Sequence, residues 1–288
     1  MTEFKKIRIG TRGSKLALIQ AMEVFKRLNE IGIETEIVKI ESHGDLDQTP
    51  LRLSKEFGLF TKKINAELLN ENIDIAVHSM KDLPSKIEED LKITAVLRRE
   101  YYEDFFISNE NMLSMPLGKK IGTSSPRRRA FIKMLRPDLE IVDIRGNVET
   151  RIKKFKKGEI DAIILALAGI KRLGLEVPGH ILDPDIFVPQ ANQGIIAIVS
   201  RRDFYLNNKI FNINDERTFL LGMVEREILD EMDAGCHSSV GVLARLKSNK
   251  ILLHVAIVEE ERKDYWSLFS ADEKADAIIK FRRWYDGR

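Results

Sequence analysis

Three apolar strings occur twice along this chain, in the same order, and no other feature narrows the possible folds as much. Ile7-Arg8-Ile9-Gly10-Thr11-Arg12-Gly13-Ser14 is echoed by Lys120-Ile121-Gly122-Thr123-Ser124-Ser125. Glu36-Ile37-Val38-Lys39-Ile40 returns as Glu140-Ile141-Val142-Asp143-Ile144, and Asn72-Ile73-Asp74-Ile75-Ala76-Val77 as Glu159-Ile160-Asp161-Ala162-Ile163-Ile164. After each Gly-Thr, serine leads into helical spacing, over Leu16 to Leu28 and over Arg127 to Leu135. Each copy reads strand, helix, strand, helix, strand, which predicts an α/β domain with a mixed, largely parallel sheet. In such sheets ligands bind beyond the carboxyl ends of the strands, in loops that lead into helices.

A third segment has a different pattern. Glu216 to Met232 repeats apolar residues at helical spacing, Ser239–Leu246 and Ile251–Val258 alternate as antiparallel strands do, and a last helix is expected from Ala271 to Trp284. These elements make a small α+β domain. A length of 288 residues accommodates it beside the two repeats. The net charge of +2 gives no global field toward nucleic acid or membrane. One cysteine excludes an intramolecular disulfide and suits a reducing compartment. The first residues lead into a strand rather than an apolar signal core, and no run approaches the roughly 18 apolar residues of a membrane span. A cytoplasmic location is therefore expected. His43, His78, His180, His237 and His254 show no metal-ligand spacing, and no glycine-rich nucleotide fingerprint occurs, so neither metal nor nucleotide is expected.

The strand ends are unusually polar. His78-Ser79-Met80-Lys81-Asp82-Leu83-Pro84 puts a carboxylate beside an ammonium after the Ile73–Val77 strand, a pairing suited to acid-base or cation-stabilising work. On spacing alone it more often marks a surface Lys-Asp pair in a turn closed by Pro84. Gly122-Thr123-Ser124-Ser125-Pro126-Arg127-Arg128-Arg129 has serine and proline where a helix begins, so free N–H groups, hydroxyls and guanidinium groups converge. Such a start binds anions. Between Gly118 and Pro137 there are seven Lys or Arg and no acidic residue. Arg145-Gly146-Asn147-Val148-Glu149-Thr150-Arg151 follows the Ile141–Ile144 strand, and Arg12-Gly13-Ser14 follows the first strand. Several cationic groups are expected to face one interdomain cleft and a ligand with several negative charges, with phosphate, nucleic acid and polycarboxylate all open. Cys236 sits in the loop Asp233-Ala234-Gly235-Cys236-His237-Ser238, where a lone cysteine is either a small buried hydrophobe or a reactive thiol.

The string from Ile73 to Pro84 resembles the active-site signature of hydroxymethylbilane synthases, also called porphobilinogen deaminases. Gly122–Arg128, Arg145–Val148 with Thr150-Arg151, Asp161–Leu175, Thr11-Arg12 with Ser14, Leu16–Leu18 with Gln20-Ala21, and Gly235-Cys236 resemble the same family in the same order. The resemblance spans nearly the whole chain. It implies two periplasmic-binding-protein-like α/β domains and a small C-terminal α+β domain. Their expected bounds are 1–97 with 195–213, then 102–190, then 216–288, the chain returning to the first domain around Ile195 to Ile213. It also implies a dipyrromethane cofactor joined by a thioether to Cys236, and porphobilinogen as substrate. Four porphobilinogen molecules would be deaminated and joined head to tail, and hydrolysis would release hydroxymethylbilane.

In that reading Asp82 is the key catalytic carboxylate, with Lys81 beside it. Arg12, Arg127, Arg128, Arg145 and Arg151 pair with acetate and propionate side chains. Ser14, Ser79, Lys81, Thr123, Ser124, Ser125, Gly146 and Gln193 complete the cofactor and substrate contacts. The segment Ser42 to Gly58 is expected to be a lid, with Asp45 and Phe60 as its contact residues. The chain is expected to act as a monomer, without nucleic acid or membrane. Some positions depart from the family pattern: Phe57 stands where many members have lysine, Asn192 and Ala234 where glycine is usual, Ile195 where alanine is common, and His237 follows the cysteine. The rival from another class is a non-catalytic two-lobed binding protein for a polyanion. It explains the repeat and the arginines but not Asp82 and Cys236 together.

Overall fold

The duplicated strings become two sheets with the same strand order and, within their parallel parts, the same register. In a computed structural model, residues 6–40, 59–234, 238–258 and 265–287 are described, residues 59–60 and 265–268 by backbone alone. The first sheet holds β1 (Ile7–Arg12), β2 (Thr35–Ile40), β3 (Ile75–Ser79), β4 (Leu91–Val96) and β10 (Ile196–Arg201). The second holds β5 (Asp104–Ile107), β6 (Lys120–Gly122), β7 (Glu140–Val142), β8 (Ala162–Ala166) and β9 (Gly179–Ile181). Their orders are β2-β1-β3-β10-β4 and β7-β6-β8-β5-β9. In each, the first three strands are parallel and the last two antiparallel to their neighbours. Each is the mixed, largely parallel sheet expected of the two α/β domains.

The echo holds residue by residue. Ile9 pairs with Ile37 and Ile75; Ile121 pairs with Ile141 and Ala162. One aspartate in each copy sets that register. Asp74 accepts from Arg8 N at 2.8 Å and donates its own N–H to Arg8 O at 2.9 Å. Asp161 does the same with Lys120, at 2.9 and 3.1 Å. A one-residue slip would break both bonds and turn every core side chain outward. Gly10 and Gly122 answer to the same neighbours: a Cβ on Gly10 would lie 2.2 Å from Ile73 Cδ1, and one on Gly122 3.1 Å from Ile160 Cδ1.

Helices α1 (Lys15–Glu30) and α2 (Leu59–Leu69) belong with the first sheet. Buried Ala21, Val24 and Leu28 give α1 an apolar stripe against Ile7, Ile9, Ile75 and Val77. Helices α3 (Pro126–Leu135), α4 (Val148–Lys156) and α5 (Leu167–Arg172) belong with the second. The chain divides into two compact units, residues 1–99 with 195–219, and residues 100–194 with 220–288. The expected return to the first sheet is present as β10, which lies between β3 and β4 and leads into the short helix α6 (Asn207–Ile210).

Within the second unit, α7 (Glu216–Glu231), which straddles the boundary, runs into a three-stranded antiparallel sheet of β11 (Val240–Lys247), β12 (Lys250–Ile257) and β13 (Tyr265–Ala271), closed by α8 (Lys274–Asp286). Val224, Ile228, Leu253, Val255, Ile278 and Phe281 are buried between these helices and strands. Leu243, Ala256 and Val258 join Phe106, Phe131 and Phe187 in the neighbouring core, so the small sheet and the second α/β sheet share apolar contacts. Among the described residues no helix is long and apolar enough to cross a membrane.

Two expectations shift. The last helix starts at Lys274 rather than Ala271, because Ala271 closes β13, a strand the periodicity did not announce. The strand expected to run to Ile144 stops at Val142, because Ser124 takes both backbone groups of Ile144: its Oγ accepts from Ile144 N at 3.1 Å and donates to Ile144 O at 2.8 Å.

Candidate active site

In the first unit the polar residues follow the carboxyl ends of β1 and β3. After Ser79 the chain makes a single 3-10 turn, Met80–Asp82. Met80 N donates to Ile195 O at 2.9 Å and Leu83 N to Met80 O at 3.1 Å, while the Met80 and Leu83 side chains are buried. The two residues between them are pushed outward, Lys81 half-buried and Asp82 exposed. Ser79 Oγ exchanges hydrogen bonds with the Gln20 carboxamide at 3.0 and 3.1 Å, which orients it from α1. Ser14 caps α1, accepting from Ala17 N at 3.3 Å, and Arg12 closes β1.

His78 is buried on β3, and its Nε2 has no hydrogen-bond partner among the described residues. Its place in the second copy is taken by Leu165, also buried. Burial, and then the Arg12 charge, push the imidazole pKa from 6.5 down to about 4. The unfolded chain therefore binds a proton near pH 6.5 that the folded chain refuses until about pH 4. Stability is full above 6.5 and falls through that window, by about 3 kcal/mol for a shift of this size. Denaturant titrations at pH 7 and pH 5 should show His78→Leu losing much less of its stability on acidification than the unmodified protein; equal losses would refute the assignment.

In the second unit the first loop after β6 is built from its own hydroxyls. Thr123 Oγ1 accepts from Ser125 N at 3.2 Å, and Ser125 caps α3 by accepting from Arg128 N at 3.4 Å, with Pro126 at the first helical position. Arg127 and Arg128 then point inward, only 3% and 7% exposed. Arg127 donates to Asp104 Oδ2 at 2.6 Å and to Val188 O at 2.7 Å. Arg128 donates to Asp104 Oδ1 at 3.1 and 2.7 Å and to Ile164 O at 2.8 Å. Gln193 Nε2 also reaches Asp104 Oδ1, at 3.1 Å, and the carbonyls of Tyr102 and Glu103 at 2.9 and 3.2 Å. Burial alone would raise the Asp104 pKa, but the two guanidinium groups outweigh it and hold the carboxyl at about 2.

The next loop carries Arg145, Gly146 and Arg151. Gly146 has φ +105°, and a Cβ there would lie 2.7 Å from Thr150 Cγ2, so the turn demands glycine. Asn147 caps α4, accepting from Thr150 N at 2.8 Å, and Arg151 Nε donates to Gly146 O at 2.8 Å. Burial, then the neighbouring Arg128, lower the Arg151 pKa to about 10. Arg127 Nε and Arg145 Nη2 are buried donors with no partner among the described residues. One carboxylate against two guanidinium groups leaves the start of α3 with excess positive charge. Unsatisfied donors beside that charge are the complement of an anionic ligand.

Cys236, Asp45 and Phe57 lie outside the described residues, and Phe60 is described only as backbone of α2. Asn192 has φ +62°, the left-handed conformation that explains why glycine suits this place. Its carboxamide donates to Gly222 O at 2.8 Å and its backbone N to Glu225 Oε2 at 2.5 Å. The residue that sequence reasoning missed is Asp104. An acidic residue in Tyr102-Glu103-Asp104 reads as solvated surface, and only the uninterrupted basic stretch downstream hinted that its charge needed a buried partner.

Comparison with known proteins covers the same ground from outside. The family model for porphobilinogen deaminase, dipyromethane cofactor binding domain, matches residues 7–209, and that for porphobilinogen deaminase, C-terminal domain, matches residues 219–278. A Thermoplasma volcanium protein named "Probable porphobilinogen deaminase" is 45% identical over 282 residues, covering 96% of this chain and 95% of its own. The "Porphobilinogen deaminase" of Syntrophomonas wolfei is 43% identical over 276 residues, covering 91% of this chain and 88% of its own. With both domain models matched in order and relatives this similar over most of their lengths, the chain belongs to the porphobilinogen deaminase family.

Proposed function

We propose that this chain is a hydroxymethylbilane synthase, converting four porphobilinogen molecules and one water into hydroxymethylbilane and four ammonia. The observation that carries this reading at the level of geometry is the excess of buried guanidinium donors at the strand ends of the second unit. Porphobilinogen bears an acetate and a propionate, and a dipyrromethane bears the same pair on each ring. A site for either needs more cationic donors than its own acids can occupy. Arg127 Nε and Arg145 Nη2, buried and unpartnered among the described residues, fit that need.

The dipyrromethane, when bound, supplies the unsubstituted pyrrole carbon to which the first substrate is added. Cys236 is its attachment point in this proposal. Arg12, Arg127, Arg128, Arg145 and Arg151 bind carboxylates. Ser14, Ser79, Thr123, Ser124, Ser125 and Gln193 supply or fix hydrogen bonds, and Gly146 lets the Arg145–Arg151 loop turn. Loss of ammonia from porphobilinogen leaves a cationic methylene-pyrrole. Asp82, aimed outward with Lys81 by the 3-10 turn, stabilises that cation and holds the pyrrole N–H. Asp45 and Phe60 close over the substrate as parts of a lid. The protein is read as a cytoplasmic monomer of three domains, 1–97 with 195–213, 102–190, and 216–288.

Intact mass tests the proposal. Purified protein, after incubation with porphobilinogen, should carry extra mass equal to two linked pyrrole units, and Cys236→Ser should carry none. An unmodified wild-type mass after that incubation would reject the reading and leave the polyanion-binding alternative.

A further inference from the structure

The two copies of the α/β unit allow each buried residue to be compared with its counterpart in the same chain. Aligning the caps Ser14 and Ser125 matches Leu16 with Arg127 and Ala17 with Arg128; buried Gln20 and Ala21 then match buried Phe131 and Ile132. On the antiparallel strands, Ile196 pairs with Ser79 as Asp104 pairs with Ala166, so Ile196 is the counterpart of Asp104. The first unit fills this place with Ile, Leu and Ala. The second fills it with a carboxylate and two guanidinium groups, all buried.

Packing does not require that exchange. In the first unit buried Ile196 and half-buried Leu16 and Ala17 occupy the matching positions without any charge, and replacing a buried ion network by apolar side chains is commonly neutral or stabilising. The charged version has a geometric consequence instead. Both oxygens of Asp104 are used, Oδ2 by Arg127 and Oδ1 by Arg128, which fixes the two guanidinium groups relative to each other at the first turn of α3. The backbone carbonyls of Val188 and Ile164 clamp the far side of each. Gln193 holds the carboxylate itself, from the last residues before the chain leaves this unit.

We infer that Asp104 is a positioning residue of the reaction: through its two carboxylate oxygens it sets Arg127 and Arg128 in the one arrangement that leaves their remaining donors directed at substrate carboxylates. This rests on the synthase reading. Asp104 does not touch substrate, and its effect is carried by the arginines. Asp104 bridges the pair, one oxygen to each guanidinium, and the carbonyls of Val188 and Ile164 hold a second nitrogen of each, so place and plane are fixed together; a wrongly tilted guanidinium binds a substrate carboxylate through one bond instead of two.

The test is steady-state kinetics of the holoprotein with porphobilinogen as the varied substrate, for Asp104→Asn and for Gln193→Met. Asp104→Asn keeps the shape and removes the charge; Gln193→Met removes one anchor of the carboxylate and leaves its charge in place. Asp104→Asn should raise KM at least tenfold with kcat, per folded molecule, within about threefold, and Gln193→Met should raise KM by a smaller factor of the same kind. A merely structural role would lower the folded fraction and the apparent kcat but leave KM as it was. If Asp104→Asn does not fold, Gln193→Met decides alone. Unchanged KM in the folded variants overturns the inference. Absence of porphobilinogen consumption by the unmodified protein would instead overturn the synthase reading.

Discussion

Asp82→Asn should lower turnover of porphobilinogen by about 10²- to 10³-fold while leaving the folded protein as stable as before. The side chain is exposed at the end of a 3-10 turn whose hold on the fold comes from its neighbours, buried Met80 and Leu83 and the bond from Met80 N to Ile195 O. Asparagine keeps size and one acceptor but not charge. A unit charge about 4 Å from a developing cation, at an effective dielectric constant near 20, contributes about 4 kcal/mol, which sets the scale of the loss. Because the cation exists only after ammonia begins to leave, the loss belongs to kcat, with KM changed little. Single-turnover release of ammonia, followed beside thermal unfolding, measures both halves. A variant that turns over normally would remove Asp82 from the chemistry; one that unfolds would show that the turn, not the charge, had been damaged.

Gly194→Ala is expected to have the largest effect on stability, about 3–5 kcal/mol from combined backbone strain and overpacking. Gly194 has φ +88°, and a Cβ there would lie 1.8 Å from Tyr101 O. The obstacle is main chain, so no rotamer change relieves it. Arg172 Nη2 also donates to Gly194 O at 2.8 Å, which holds the glycine from the other side. Equilibrium denaturation reads the loss directly, and a change below about 1 kcal/mol would mean that the two segments part more easily than their geometry indicates.

How much of this was legible beforehand can be traced to particular residues. The repeat showed itself because Gly-Thr, an Ile-Asp pair and a Glu-Ile-Val run each do the same local job twice: close approach to the isoleucine that precedes the third strand, a bracket on the neighbouring backbone, a half-buried edge. Helix starts at Ser14, Ser125 and Asn147 were marked by residues whose function as caps is local. The resemblance then supplied the reaction. What stayed hidden depends on long-range partners. Asp104 meets Arg127 and Arg128 more than twenty residues later and Gln193 nearly ninety later, and nothing in the immediate sequence distinguishes a buried aspartate from a solvated one. Strand β13 was missed because its alternation merges at Ala271 with the helical spacing that follows. Asn192 and Gly194 look alike in sequence, two turn residues on either side of Gln193. Only the backbone separates a position that tolerates asparagine from one that excludes any Cβ.

The placement of β10 also imposes an order of assembly. The second sheet draws all five strands from residues 104–181, so every segment it needs has been made once Ile181 has left the ribosome's peptidyl-transfer centre and cleared the exit tunnel. The first sheet starts earlier in the chain but has a gap between β3 and β4 that only Ile196–Arg201 fills. Its strands must wait, with one edge of β3 unpaired, while the whole of the second sheet is translated. The sheet that is begun first is thus completed after the second, and during that interval the exposed edge is a place where a nascent-chain chaperone or a second unfinished chain can attach.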